Sequence, residues 1–442
     1  MTQALTDLAA ALGGPAWLAA RRASAAEEAA ASPMPTAEQE VWRYSPIDDL
    51  DIDRYSPPPL VPHPVPDAQN RAGRGEARQE ASGAGGGGAL GVTALADVDR
   101  AALVVVRDGA LVHLEVDASA AAGGLTVSVL DDEREMPEFF GAAIGEPDAF
   151  TLRNDALASA PIVVRVPRNA VIDRPIVIVH EVTVAGSMTF PRLLVEAAQS
   201  AEVTVLDITT SPDVEALVVP VVELHAAANA TLRHQSIQDH GPRVWQIGTT
   251  AARIEQDARV VAATVALGGA YARIRTDSRI VGQNGRADLL AAYFGGADQI
   301  HDFRTLQDHH APRTTSELLF KGAVTDTARS VYSGLIRIRH GAAGTEAFQT
   351  NRNLVLGDGA HADSVPNLEI EENDVKCSHA SAVGPVDADQ LYYLEARGVP
   401  TDVAERLIVL GFFDEVIERM PVKELRDLLR LAVATKLDQR VT

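Results

Sequence analysis

The chain is poor in cysteine, aromatic residues, positive charge and long apolar runs, and each shortage closes off a class of protein. One cysteine, Cys377, among 442 residues permits no disulfide within the chain and suits a reducing compartment. Lys and Arg number 39 against 61 Asp and Glu, for a net charge of −22, which argues against a phosphate-binding surface and a nucleic-acid partner. No apolar run reaches the roughly 18 residues that a membrane helix needs; even Ala216 to Ala228 is broken by Pro220, Glu223 and His225. No basic residue precedes Arg21 and Asp7 comes early, a pattern closer to an amphipathic helix than to a signal peptide. A cytoplasmic protein without membrane contact is therefore expected. Gly268-Gly269 and Gly295-Gly296 form neither GxGxxG nor GxxxxGK[ST], and GxSxG and HExxH are missing, so no nucleotide site is written in this chain. ATP chemistry would have to come from another subunit.

What is present is a balance of 46% hydrophobic and 23% charged residues, enough to bury a core in two or three domains. Residues 1–55 read as an N-terminal helical region, with Leu5, Leu8, Leu12, Trp17 and Leu18 near helical spacing. A linker is expected at 56–92, from Pro57-Pro58-Pro59 through the tract Gly83 to Gly88. Residues 93–385 consist of short Val/Ile/Leu runs between Gly, Asn, Asp and Pro, the texture of a mainly β segment with almost no helical periodicity. Small-residue turns recur at Ala170, Ala201, Ala230, Ala258 and Ala287, with steps of 31, 29, 28 and 29. Stacked coils give such a step, because each coil must return the chain above its predecessor. A parallel β-helix or related solenoid is the expected core, with a β-sandwich as the alternative. Residues 386–442 return to helix, Asp387 and Thr401 serving as caps. Their apolar cluster Leu410, Phe412, Phe413, Val416, Ile417 and Met420 either meets another protein or packs on the solenoid.

Two groups of residues are candidates for chemistry. In Asn373-Asp374-Val375-Lys376-Cys377-Ser378-His379, Cys377 and His379 stand two apart, on one face of an extended strand. A thiolate beside an imidazole suits iron or persulfide sulfur, and a neighbouring cation would lower the thiol pKa; two ligands do not close a structural zinc site. The alternative is a buried thiol with an incidental histidine. The second group, His301-Asp302-Phe303 with Asp308-His309-His310, lacks a recognised ligand spacing and reads better as packing histidines.

A longer series is more specific. Phe320-Lys321-Gly322, Val331-Tyr332-Ser333-Gly334, Gln349-Thr350-Asn351-Arg352-Asn353, Pro366-Asn367-Leu368-Glu369-Ile370, Asp374-Val375-Lys376-Cys377-Ser378-His379, Leu391-Tyr392-Tyr393-Leu394 and Arg397-Gly398-Val399 run to Gly411-Phe412, and Trp42-Arg43-Tyr44 stands near the start. This series resembles the SufB/SufD family of iron–sulfur cluster assembly proteins. It is similar to the SufD branch, because the SufB cysteine motif is replaced by Asn351-Arg352-Asn353 while Cys377-Ser378-His379 is kept. The usual following Gly-Ala-Thr reads Ala380-Ser381-Ala382. The resemblance implies a right-handed parallel β-helix core flanked by helical regions, and a non-catalytic scaffold that pairs with SufB through the β-helix. It further implies a SufC ATPase docked on the C-terminal helices, with Leu410, Phe412, Phe413, Val416, Ile417 and Met420 then in the partner surface. A nascent iron–sulfur cluster would form transiently at the SufB interface, with Cys377 and His379 as its ligands from this side. Two other functions remain open: a purely structural partner of SufB, and, remotely, a β-helix enzyme acting on polysaccharide, which the 5% aromatic content and the lack of a paired-carboxylate motif oppose.

Overall fold

The structure is a computed structural model that describes residues 2–58, 98–132 and 135–439. Its core is a parallel β-solenoid. Successive strands alternate between two sheets, so that Glu202–Thr210, Thr231–Asp239, Arg259–Ala266, Arg286–Gly295, Thr315–Val324, Thr345–Val355 and Val375–Gly384 stack in a ten-stranded sheet. Val221–Ala226, Val244–Ile254, Tyr271–Ile280, Ile300–His309, Arg329–Ile338 and His361–Ile370 stack in the eleven-stranded one.

The alanine turns expected from the sequence are the corners of this stack. Asn169, Ser200, Asn229 and Asp257 adopt positive φ just before Ala170, Ala201, Ala230 and Ala258. Asn and Asp tolerate that left-handed conformation best among residues with a Cβ. Each corner also donates its backbone N–H to the next coil, as Ser200 does to Ala228, Asn229 to Gln256 and Asp257 to Gln283. Ala287 departs from the expected role: it lies within a strand, opposite Val260 and Ser316. The corner equivalent to Ala258 is Gly285, whose carbonyl accepts from Thr315 as that of Ala258 does from Arg286.

Alternation along each strand divides the side chains between a lumen and an outer face. Val203, Val205, Leu232 and Val260 fill the lumen with Leu193, Val195 and Leu224 of the other sheet. The outer face of the ten-stranded sheet, with Val177, Val179, Leu206, Ile208 and Val261, is covered by helices Thr401–Ile417 and Arg426–Asp438. The opposite outer face is covered by the N-terminal helices Thr2–Ala11 and Ala16–Ala31 and the segment around Trp42. Strands covered on both faces read as unbroken apolar runs, as in the stretch Ile176 to Val179 of strand Ile176–Glu181, where every residue is buried.

Two helices among the described residues lie inside the segment expected to be all-β, the five-residue Ala118–Ala122 and the longer Ala149–Leu157. Ala149–Leu157 is capped by Asp148, whose carboxylate accepts from the N–H groups of Phe150 and Thr151. All but one of its residues are buried, so it lacks the one-sided apolar stripe that marks a surface helix in a sequence. The expected linker at 56–92 lies outside the described residues apart from its first three. No helix among the described residues is long and apolar enough to cross a membrane.

The two ends of the solenoid differ. At the first, Ala110–Val116 runs antiparallel to Ala102–Arg107, and Thr126–Val129 runs antiparallel to Ile162–Val166. At the other, His361–Ile370 and Val375–Gly384 are the terminal strands of their sheets among the described residues, and most of their side chains are exposed.

Candidate functional site: the open mouth of the solenoid

Val375–Gly384 extends the stack by one coil, so its inward residues continue columns that are buried below. Cys377 lies over Ala347, His379 over Gln349 and Ser381 over Asn351. Facing them is the inward row of His361–Ile370, with Ser364, Pro366 and Leu368 over Tyr332's strand. The two rows meet across the lumen, where Ser381 Oγ donates to Ser364 Oγ at 2.7 Å. Cys377 and His379 thus share one face at the rim, as their spacing predicts.

Their surroundings differ. Cys377 is partly buried and packs against Ile336, Ile338, Ala342 and Ala347. That burial pushes its thiol above the ordinary value, because the thiolate loses solvation. Lys376, the adjacent cation, instead pairs with Glu346 at 2.7 Å. Burial therefore favours the neutral thiol over the thiolate. His379 is exposed.

Beneath the rim is a polar network that motif reading did not assemble. Ser364 Oγ donates to Asn351 Oδ1 at 2.9 Å, Asn353 Nδ2 to the same oxygen at 2.8 Å, and Asn351 Nδ2 to the Tyr293 hydroxyl at 3.0 Å. Tyr293 in turn donates to Asn353 Oδ1 at 2.7 Å. A second branch joins the Gln349 amide to the Tyr332 hydroxyl, which lies 3.1 Å from Thr305 Oγ1. Burial pushes both tyrosine hydroxyls well above their usual range, so both remain protonated donors. Gly322 and Gly334 belong to this network through what they lack: a Cβ on Gly322 would overlap the Tyr293 ring, and one on Gly334 would overlap the Gln349 amide and the Tyr332 hydroxyl. Gln349, Asn351, Asn353, Tyr332, Gly322 and Gly334 were each visible as members of short motifs. What the sequence did not reveal is that the 28–31-residue coil step superposes them in one lumen.

The second histidine group is dispersed by the alternation of the strand. His301 and His309 point into the lumen, where His301 Nε2 lies 3.3 Å from the Gly268 carbonyl oxygen and His309 contacts Thr314 and Ser316. Burial lowers both to a pKa of about 4. Asp302 points outward and binds Arg273 at 2.8 Å and Arg304 at 2.6 Å. His310 pairs with Asp308, which also holds Arg339. Among the described residues no group of three or more His, Cys, Asp or Glu is arranged to hold a metal ion.

The Asp302 cluster accounts for the Trp42-Arg43-Tyr44 motif. Arg273 lies 3.8 Å over the Trp42 ring and donates to the Val41 carbonyl, while Arg304 donates to the Arg43 carbonyl. The motif is an anchor that straps the N-terminal region to the sheet.

The C-terminal apolar cluster divides. Phe413, Val416, Ile417 and Met420 are buried against the ten-stranded sheet, so packing on the solenoid accounts for these four, while Leu410 and Phe412 are only partly buried. Lys321 fixes the same helix by donating to the Phe412 carbonyl at 2.8 Å and pairing with Glu415. The apolar residues left exposed on the helices are Tyr392, Tyr393, Val403, Leu407 and Leu431.

Residues 180–412 match the family model described as "SUF system FeS cluster assembly, SufBD core domain". The chain is 34% identical to the iron–sulfur cluster assembly SufBD family protein ML0594 of Mycobacterium leprae, over 73% of this chain and 85% of that one. It is 27% identical to the iron–sulfur cluster assembly protein SufD of Escherichia coli, over 91% and 89%. Against the SufBD family protein Rv1462 of Mycobacterium tuberculosis the identity is 42%, and there the chain spans about half the relative's length, 53%.

Proposed function

The chain belongs to the SufBD family of SUF-system iron–sulfur cluster assembly proteins, and from that membership we propose that it is a SufD-type scaffold subunit rather than an enzyme. Its cargo is a nascent iron–sulfur cluster, held transiently with a SufB-like partner. The observation that carries this reading is the placement of Cys377 and His379 side by side on the inward face of the last coil, at the end where both sheets stop. Unpaired strand edges are templates for another chain, so a SufB-like subunit that continues the two sheets would seat this pair at the seam. The exposed imidazole binds iron directly. The thiol follows once metal binding displaces its proton. ATP hydrolysis comes from a SufC-like partner on the C-terminal helices. Leu410 and Phe412 with the exposed Tyr392, Val403 and Leu407 form the contact, while Phe413, Val416, Ile417 and Met420 transmit it to the sheet. The division into an N-terminal region to 55, a tether to 92, a core to 385 and a C-terminal helical domain belongs to the same proposal, as does a cytoplasmic location.

The test is the complex, co-expressed with SufB and SufC counterparts. Replacement of His379 by Ala is expected to lower cluster yield at least about tenfold, the usual scale for a lost metal ligand or its support, while the complex elutes intact. Unchanged yield in an intact complex removes His379 from the chemistry. A purely structural role is favoured by one observation, the half-buried thiol packed against Ile336, Ile338 and Ala347, whose pKa is raised by that burial. Equal protection of Cys377 from labelling in every nucleotide state of the complex would support that role.

A further inference from the structure

Gln349 is buried to within 2% of its surface, and it lies one coil beneath His379 in direct register. Neighbouring strands are about 4.8 Å apart, well within the reach of a glutamine side chain towards the residue above it. The Gln349 amide nitrogen is already engaged by the Tyr332 hydroxyl, itself held by Thr305. Its carbonyl oxygen, Oε1, is buried and has no hydrogen-bond partner. A buried acceptor left unmade costs about 1–3 kcal/mol, and native proteins keep such atoms where a function uses them. The surroundings hold the amide in place: Gly334, across the lumen, leaves free the space that this amide and the Tyr332 hydroxyl fill.

We propose that Gln349 is a positioning residue for His379, its Oε1 accepting the N–H of the imidazole nitrogen turned into the lumen. The other ring nitrogen then faces the open end as a lone-pair donor. Ligating histidines almost always donate their second ring N–H in this way, which fixes both tautomer and ring orientation. The relation to metal chemistry rests on the reading of His379 as a cluster ligand; the hydrogen bond itself does not.

The experiment therefore reads the two separately. In the full chain labelled with nitrogen-15 histidine, with the His379 signals assigned through His379→Ala, the wild type is expected to show a resolved ring N–H protected from solvent exchange. Gln349→Met, which keeps the length but removes the acceptor, is expected to lose that signal. Gln349→Glu, which restores an acceptor, is expected to regain it. Global unfolding of the Met variant would be seen in the remaining histidine signals, and the Glu variant then decides alone, since a merely structural role gives it no reason to preserve a His379 N–H. In the reconstituted complex, Gln349→Met is expected to lower cluster yield about 10–100-fold, with recovery in Gln349→Glu. Absence of a protected His379 N–H in the wild type, or its persistence in Gln349→Met, overturns the proposal. A protected N–H that vanishes in Gln349→Met, together with full cluster yield in both Gln349→Met and His379→Ala, upholds the positioning and overturns the ligand role of His379.

Discussion

At the scale of single residues, the lumen is a place where absence of volume matters as much as chemistry. Gly334 has no positive φ to explain it, so its backbone conformation suits any residue. Its role is steric, since a methyl there would occupy the space of the Gln349 amide and the Tyr332 hydroxyl. Gly334→Ala is therefore expected to destabilise the chain by about 1–3 kcal/mol, the usual cost of overpacking, measurable by denaturant or thermal unfolding. Gly384, on the rim, has nothing within 4 Å of a built Cβ. Gly384→Ala is expected to leave stability within about 0.5 kcal/mol of wild type. Equal effects of the two would show that the lumen network is looser than described. Cys377 allows a second prediction at this scale. Burial raises its thiol pKa and no cation offsets that effect, so its alkylation at pH 7.5 should be slower than that of a free cysteine in a peptide. A faster reaction would indicate a thiolate-stabilising group that this geometry lacks.

At the scale of elements, the solenoid is secured by straps from both ends of the chain, one on each outer face. The N-terminal strap depends on Asp302, fully buried between the guanidinium groups of Arg273 and Arg304, which reach the carbonyls of Val41 and Arg43. Removing one member of a buried ion network leaves the others uncompensated, at about 3–5 kcal/mol. Asp302→Ala is thus expected to lower the unfolding midpoint and to expose the N-terminal segment to limited proteolysis, leaving the C-terminal helices protected. Simultaneous cleavage at both ends would show that the straps are not independent. The sequence revealed the coils because a corner residue must be small or tolerate left-handed φ, and Asn229-Ala230 and Asp257-Ala258 carry that requirement in their identity. It revealed the Cys377–His379 pair because spacing of two along a strand is local. Helix Ala149–Leu157 stayed hidden because burial on all sides removes periodicity, and the placement of Phe413 and Met420 against the sheet stayed hidden because an apolar side chain does not specify what covers it. Asn351, Ser364 and Tyr293 form one network through contacts of 58 and 13 residues' separation, which only the register of stacked coils brings together.

At the scale of the whole molecule, the polar lumen makes stability depend on pH. His240, His301 and His309 are buried, and burial lowers each to a pKa of about 4; His180, facing Asp207, is lowered as well. The groups facing them are Gln246 for His240, Lys436 for His301, and Asp308 and His310 for His309. Unfolded histidine titrates near 6.5. Between pH 6.5 and 4 the unfolded chain therefore binds protons that the native chain refuses, so stability rises with pH across that window and is lost on acidification. Each pH unit inside the window is worth at most about 1.4 kcal/mol per histidine, so their combined effect is of the same order as the margin of about 5–15 kcal/mol that holds a typical domain folded. The net charge of −22 acts in the opposite direction, because acidification relieves self-repulsion, but exposed charges beyond about 8 Å are screened at 0.15 M salt. In that salt the midpoint of thermal unfolding is expected to fall steadily from pH 7 to pH 5, before most exposed carboxylates titrate. Replacing His309 by Gln, which has no proton to take up on unfolding, should flatten the slope even if it lowers stability overall. A slope unchanged by His309→Gln and by the same change at His301 would show that these two histidines do not carry the pH dependence.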